Sequence, residues 1–446
     1  MSKPMDLLES KLMPVAAKIS ANRYLLAIRD GFMLAMPLLI IGAMSLLVAN
    51  FPIQGFLDFM ASVFGKNWTV FFSRPNDITM SIMTIFVVYG ISNSLALHYE
   101  LEGISSGAIS LVAFFMLTPF ATTFTPKDSK IAYDITNVIP MDWLGSKGLF
   151  VGMLTAILTT EIIRMVVKRG WVIKMPEGVP PTVSKAFSAL IPAALVILSF
   201  DVIRLLFTWT SYGTVHGFIY KVLQAPLTHL GDSLGATIIA NLFIGLFWVF
   251  GIHGANIVGS VMSPIWLSLS AENLTAFKAG ATGSALPHII TQQFQEIFLQ
   301  LGGSGSTLAL CLTMMFICRS QICKKLGRLA FLPGLFNINE PITFGLPIVL
   351  NPIMMIPFIL TPIILAVLCY AAVSTGLVPR PSGVIIPWTT PAIFGGFLVS
   401  GVKGALLQVV EIAVSFICYY PFIRVVDKQY LAEEKAYESA DANLTV

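Results

Sequence analysis

Residues 341 to 379 read PITFGLPIVLNPIMMIPFILTPIILAVLCYAAVSTGLVP, thirty-nine positions without an Asp, Glu, Lys or Arg. As one helix this window would be about 60 Å long, twice the roughly 30 Å hydrocarbon core of a bilayer. Pro347, Pro352, Pro357 and Pro362 recur in it every five residues, each removing a backbone donor. Irregular backbone at membrane depth persists only where protein or a water-filled cavity satisfies it. The window therefore predicts broken helices and re-entrant hairpins around a central site. A second charge-free window of thirty-nine residues, 233 to 271, is interrupted by Gly and Pro in the same manner.

The same scarcity of charge runs through the whole chain. Of 446 residues 56% are hydrophobic and 11% charged, with a mean hydropathy of +0.82. Soluble domains carry about a quarter charged residues, so soluble, disordered, collagen-like and disulfide-scaffold classes are excluded. The reading is an all-α polytopic membrane protein. Its 27 basic and 23 acidic residues form small clusters between apolar stretches, which does not suggest a nucleic-acid partner. Cys311, Cys318, Cys323, Cys369 and Cys418 fall singly, with no CxxC pair, and indicate neither a metal site nor a disulfide framework. Four read as small apolar packing residues. Cys323 is set apart by Arg319, Lys324 and Lys325, neighbours that favour a thiolate, although a bystander remains the preferred reading. No nucleotide-binding or metal-binding motif is present, so no cofactor is expected and energy must come from a partner or a gradient.

Windows at 31 to 57, 78 to 99, 103 to 126, 148 to 167 and 186 to 210 predict five spans, the first retained rather than cleaved as a signal. Glu161 with Arg164, and Asp201 with Arg204, are spaced to pair on one helical face. Basic residues before the first span and between 164 and 185 place those segments in the cytoplasm. Both termini follow. Residues 211 to 232 show an apolar stripe against His216, Tyr220, Lys221 and Gln224, predicting an interfacial amphipathic helix with His216 and His229 as interfacial polar groups. The organisation expected is an N-terminal transmembrane half (1–210), this linker (211–232), a C-terminal transmembrane half with the hairpins (233–424) and a cytoplasmic tail (425–446). Lipid surrounds the whole.

Glu340 is the one charged residue between Arg328 and Arg380, in FNINEPITFGLP at 336 to 347. An acid there is costly unless a cavity or partner holds it, which makes it a site candidate. Pro341 pushes it out of helical geometry, toward the tip of a broken hairpin. Asn337 and Asn339 either bond the same ligand or tie the loop. A second polar island, GIHGANI at 251 to 257, offers His253 between glycines, with Asn256 beyond; it is either a titrating ligand group or a satisfied core histidine. The third, IIPWTTPAIFGG at 385 to 396, carries Trp388 and Thr389, the indole being an interface anchor or a stacking platform. PHIITQQFQE at 287 to 296 is a weaker signal. One carboxylate, one imidazole, amides, hydroxyls and indoles suit a neutral polyhydroxylated ligand better than an ion or a lipid.

With GIHGANI and NINEPITFGLP read jointly, the chain resembles the IIC membrane subunit of bacterial sugar phosphotransferase systems, in the lactose, cellobiose and N,N'-diacetylchitobiose family. The resemblance implies about ten transmembrane helices plus two re-entrant hairpins in the bacterial plasma membrane. It also implies a homodimer formed through the first half, with a disaccharide held in the second. It places the family's glutamate on Glu340, its histidine on His253 and its sugar-stacking tryptophans on Trp248 and Trp388. The phosphocysteine of this family lies on IIB, expected here, like IIA and HPr, to be another chain. A cellobiose-type or diacetylchitobiose-type permease is the implied function: the sugar is carried inward and phosphorylated by IIB, so the chain is a component of a phosphotransferase rather than the phosphoryl donor. An ion-coupled secondary sugar transporter with Glu340 and His253 as proton relay, or a membrane transferase acting on lipid, would use the same polar groups.

Overall fold

The computed structural model describes Pro14, Lys18 and residues 21 to 444, except Pro52, 127 to 130, Glu177, Pro347 and Leu350; side chains are described as far as Ala436. Its contacts separate two compact units, one of residues 20 to 49 and 64 to 229, the other of 1 to 19, 50 to 63 and 230 to 446. Neither unit is one continuous stretch of chain. Helix Gln54–Phe64 belongs almost wholly to the second unit, where Phe51 just before it meets the ring of Phe397 at 6.2 Å.

In the first unit, helix Arg23–Ala49 packs on Trp68–Met80 and Met83–His98; the last of these lies against Gly103–Leu117 and Leu149–Lys168. The crossing of the first and third helices depends on small residues. A Cβ on Gly90 would stand 2.8 Å from the Cα of Gly31, so the two backbones meet with no side chain between them, as is common where no hydrophobic drive separates helices from lipid. Buried hydroxyls add to the seam: Ser92 donates to the carbonyl of Ser106 at 2.9 Å and lies 2.9 Å from Thr160 Oγ1. Arg164 pairs with Glu161 at 3.0 Å and Arg204 with Asp201 at 2.8 Å, each one turn apart. Tyr24 and Tyr99 also donate to Glu161, tying three helices to one carboxylate.

The chain is mostly helical, but the window 103 to 126 is helical only to Leu117: Ala121–Phe124 pairs antiparallel with Tyr133–Thr136 in a short exposed ribbon, a segment rich in β-branched and aromatic residues. The stretch after 211 is helical from Val215 to Gly231, with a wide turn at Tyr220–Gln224, but two of its polar residues, His216 and Gln224, are buried. His216 is fully buried against Phe114 and Trp143 with Nε2 3.2 Å from Thr118 Oγ1, and Gln224 donates to the carbonyl of Ser146 at 3.0 Å. Val222 is half exposed instead. His229 remains exposed. Partners within the protein satisfy His216 and Gln224, whereas Lys221 is exposed like His229.

In the second unit helix Leu234–Val249 packs on Gly254–Lys278 and on Met355–Ser374; Leu308–Phe316 packs on Gln321–Leu335 and on the last helix, Phe394–Leu444, which is broken at Ser400 and Gly401. The proline window resolves into two parts. The described residues among 346 to 354 are irregular, whereas Met355–Ser374 is one continuous helix. Pro357 falls in its first turn, where the missing donor has no helical acceptor anyway, so only Pro362 interrupts its interior ladder. Among the described residues six helices are long and apolar enough to cross a membrane, or seven if Val215–Gly231 and Leu234–Val249 form one span; fifteen-residue Gly103–Leu117 is shorter.

Among the described residues, three largely non-helical stretches run between these helices, within 286 to 307, 336 to 354 and 376 to 393, with many buried residues. Isolated polar side chains from the helices satisfy them. Asn241 and Gln295 exchange two amide hydrogen bonds of 2.9 Å. Gln408 accepts from the N–H groups of Ile393 and Gly396 at 2.7 Å and donates to the carbonyl of Ile297 at 2.7 Å. Tyr419, fully buried, donates to the carbonyl of Gly305 at 2.6 Å. Such bonds are the condition for irregular backbone to survive away from water.

Candidate functional site

Helix Leu234–Val249 ends in a tight turn at Phe250 and Gly251, and helix Gly254–Lys278 begins immediately after. His253 is the residue that caps the second helix: its Nδ1 accepts the backbone N–H of Asn256 at 3.3 Å. An accepting Nδ1 leaves the proton of the neutral ring on Nε2. Nε2 points to Glu340, 3.8 Å from Oε1. The two side chains are 42% and 46% exposed, so both remain reachable by ligand.

Glu340 does not sit at a non-helical tip. It opens the short helix Glu340–Gly345 after Asn339, with Pro341 in the first turn. A proline there needs no donor, and an acid in the first turn faces unpartnered N–H groups. The segment before it is fixed by the two asparagines. Asn337, in the left-handed region at φ 63°, accepts from Gly302 N–H at 2.9 Å and donates to the carbonyls of Trp388 and Thr390 at 2.6 and 3.1 Å. Asn339 donates to the carbonyl of Ser304 at 2.9 Å and to Thr343 Oγ1 at 3.1 Å. Both are buried. Of the two readings open for them, tying the loop is the one their bonds express. Gly303 lies between them at φ 89°, where a Cβ would meet the Asn337 carbonyl oxygen at 2.7 Å.

Three islands of polar sequence therefore converge. His253 meets Glu340 directly, and the Trp388–Thr390 segment is bonded to Asn337, three residues before Glu340. Trp388 is 47% exposed and Thr389 half-buried; Asn256 is exposed and uses its backbone N–H to cap the helix. Trp248 is placed differently. Only 2% exposed, it stacks beside His253 with ring centroids 4.5 Å apart and beside Phe344 at 6.2 Å. In this arrangement its indole walls the imidazole rather than presenting an open face.

Other groups had little signal in the sequence. His288 lies 2.9 Å from Asp232 and 2.7 Å from Glu272 through its two ring nitrogens. Burial opposes its charge, but these two carboxylates outweigh it and raise the imidazole to about 9. The same cluster fixes backbone: Asp232 accepts from Ile290 N–H at 3.0 Å, and Asn273 bridges His288 to the carbonyl of Pro381. Gln292 donates to Glu296 at 2.7 Å. Glu411, fully buried in the last helix, accepts from the Cys369 thiol. Only its isolation in an apolar span marked it.

An imidazole N–H and a carboxylate oxygen separated by 3.8 Å are too far apart to bond each other well. A hydroxyl oxygen about 2.8 Å from each fits at the apex between them, donating to one and accepting from the other. Such a pair has the geometry to bind an alcohol, and its carboxylate to take the proton.

The chain as a whole is similar to known proteins. The family model described as phosphotransferase system, EIIC matches residues 29–362. The chain is 49% identical to the cellobiose-specific EIIC component of Geobacillus stearothermophilus over 98% of its length and 97% of the relative's. It is 47% identical to the lichenan permease IIC component of Bacillus subtilis, with the same coverage. The crystal structure of ChbC, the IIC component of the N,N'-diacetylchitobiose-specific phosphotransferase system, superposes with a TM-score of 0.93 at 48% identity, covering 96% of this chain and 99% of that one.

Proposed function

The chain belongs to the EIIC family of the phosphotransferase system, and on that premise we propose that it carries a β-linked disaccharide of the cellobiose or N,N'-diacetylchitobiose class inward, holding one sugar hydroxyl between His253 and Glu340. The supporting observation is the half-exposed pair itself, with Nε2 and Oε1 3.8 Å apart. The sugar class is supported by the cellobiose-specific and diacetylchitobiose-specific relatives at 49% and 48% identity.

In this reading a IIB partner supplies phosphocysteine. The hydroxyl oxygen attacks phosphorus, the S–P bond breaks with the cysteine leaving as thiolate, and the hydroxyl proton passes to Glu340 while the His253 Nε2–H donates to the hydroxyl oxygen and orients it. The charged product cannot recross hydrocarbon, which makes uptake one-way. Trp388 and Thr389 line the sugar, Trp248 backs the imidazole, and Asn337 and Asn339 hold the carboxylate's loop; Asn256 stands at the exposed mouth. The architecture we assign is that of about ten membrane helices with two re-entrant hairpins. Residues 1–210 would form the dimer contact, 211–232 the linker, 233–424 the sugar half and 425–446 a cytoplasmic tail. Both termini lie in the cytoplasm of a bacterial plasma membrane, and IIA and HPr feed IIB.

Sealed vesicles with labelled disaccharide test this. Sugar phosphate forming inside only when phospho-IIB is supplied supports it. Accumulation of unmodified sugar under an ion gradient alone would instead establish a secondary transporter. Direct binding of labelled cellobiose and diacetylchitobiose to the purified protein separates the two sugars.

A further inference from the structure

The two cysteines nearest the basic cluster are not isolated in space. Cys318 lies in the connection between helices Leu308–Phe316 and Gln321–Leu335, and Cys323 lies in the first turn of the second. Asp427 of the last helix reaches the same point. The two sulfurs and a carboxylate oxygen are all within 4.8 Å of one another, and the three residues are 2%, 0% and 1% exposed.

Asp427 is already oriented. Its Oδ1 accepts the backbone N–H groups of Arg319 and Ser320, both at 2.9 Å, and Oδ2 lies 3.1 Å from the Arg319 nitrogen and 3.8 Å from Arg424 Nη1. A second carboxylate, Glu434, accepts from Ser320 Oγ at 2.8 Å and Ile322 N–H at 2.9 Å. The connection that carries both cysteines is thus fastened to the last helix from two sides. Apolar packing alone would not call for two thiols and a carboxylate in one buried spot, because each polar group loses hydration there.

We propose that Cys318, Cys323 and Asp427 form a binding site for a thiophilic divalent cation of the zinc class. Bonds of about 2.3 Å to sulfur and 2.0–2.2 Å to oxygen set ligand separations of about 3.5–3.8 Å in a tetrahedron. The three donors reach that geometry by closing no more than about 1.3 Å. Water takes the fourth position. Binding releases the two thiol protons to solvent, so affinity rises with pH. Two thiolates, one carboxylate and the cation together carry one negative charge, which Arg424 faces from the next turn of the same helix. The N–H groups on Asp427 play the part that outer hydrogen bonds play in orienting a ligand.

The test uses full-length protein in detergent, reduced with a phosphine, stripped with chelator and titrated with Co(II). The expected result is one Co(II) per chain with a thiolate-to-cobalt charge-transfer band, displaced by Zn(II), and a raised thermal midpoint on loading. Cys318→Ser and Cys323→Ser should each abolish the band, Asp427→Asn should weaken binding at least tenfold, and Cys369→Ser should change nothing. Retained sugar binding shows that each variant is folded. Absence of the thiolate band in reduced wild-type protein overturns the site, as does its persistence in the Cys318→Ser, Cys323→Ser double variant.

Discussion

His253 Nε2 and Glu340 Oε1 face each other at 3.8 Å although 87 positions separate them, and each opens a helix at that point. The imidazole is oriented by its own helix, through the Asn256 N–H; the carboxylate is oriented by two buried asparagines that precede it. The substrate chemistry proposed above and local folding therefore fall on the same few residues, and well-chosen substitutions can separate them.

Glu340→Gln replaces a carboxylate by an amide of the same shape on a half-exposed side chain. The protein should elute and melt as wild type, while sugar phosphate formation with phospho-IIB falls about 10²- to 10⁴-fold, the usual yield of a positioned base. Wild-type turnover in this variant would remove Glu340 from the chemistry.

At His253 two substitutions divide the roles. His253→Asn keeps an acceptor for the helix start and should cost little stability, whereas His253→Ala loses the cap, worth about 1 kcal/mol. Both lack the Nε2 donor and should lose activity alike. Thermal melting and sugar phosphorylation, measured on the same samples, distinguish cap from ligand.

Gly303→Ala tests the loop beneath the site. With φ at 89° and the Asn337 carbonyl oxygen 2.7 Å from the new Cβ, the change should destabilise the protein by about 1–3 kcal/mol. It should also weaken binding of labelled disaccharide, because Asn337 and Asn339 must move. Unaltered binding would show that Glu340 is positioned without this loop.

The His288 cluster predicts a pH signature. Folding raises this imidazole from 6.5 to about 9 through Asp232 and Glu272, against the opposing effect of burial. A raised folded value means that the stabilisation is complete below about pH 6.5 and is lost as pH climbs through about 9; it amounts to about 3 kcal/mol at most. The thermal midpoint should therefore fall between pH 7 and 9.5 in wild type and fall less in His288→Gln. Parallel profiles would show that the cluster does not couple to folding.

Charge scarcity made Glu340 readable, since nothing else charged lies between Arg328 and Arg380, and glycine neighbours made His253 readable. The one-turn ion pairs at Glu161 and Asp201 were equally legible because helical spacing alone decides them. Less visible were groups whose role is set by distant backbone. Gln408, Asn241 and Tyr419 are ordinary residues in apolar helices until the irregular segments they satisfy are in place. For Trp248, which only the family resemblance singled out, sequence carries no information on which face a neighbour covers. Cys318 and Cys323 looked single for a related reason: four intervening residues fit no common ligand spacing, and their third companion, Asp427, comes from another helix. His216 was misplaced because an amphipathic pattern shows which face is polar but not whether that face meets water or protein.

The bond from Tyr419 to the Gly305 carbonyl spans 114 residues. During synthesis at 5–20 residues per second the acceptor waits roughly 6 to 23 s before its donor exists. Over that interval the buried stretch around Gly305 cannot rest in hydrocarbon with its carbonyls bare. It must stay hydrated at the membrane surface or be sheltered by the insertion machinery, and this stretch is satisfied only after the last helix has arrived.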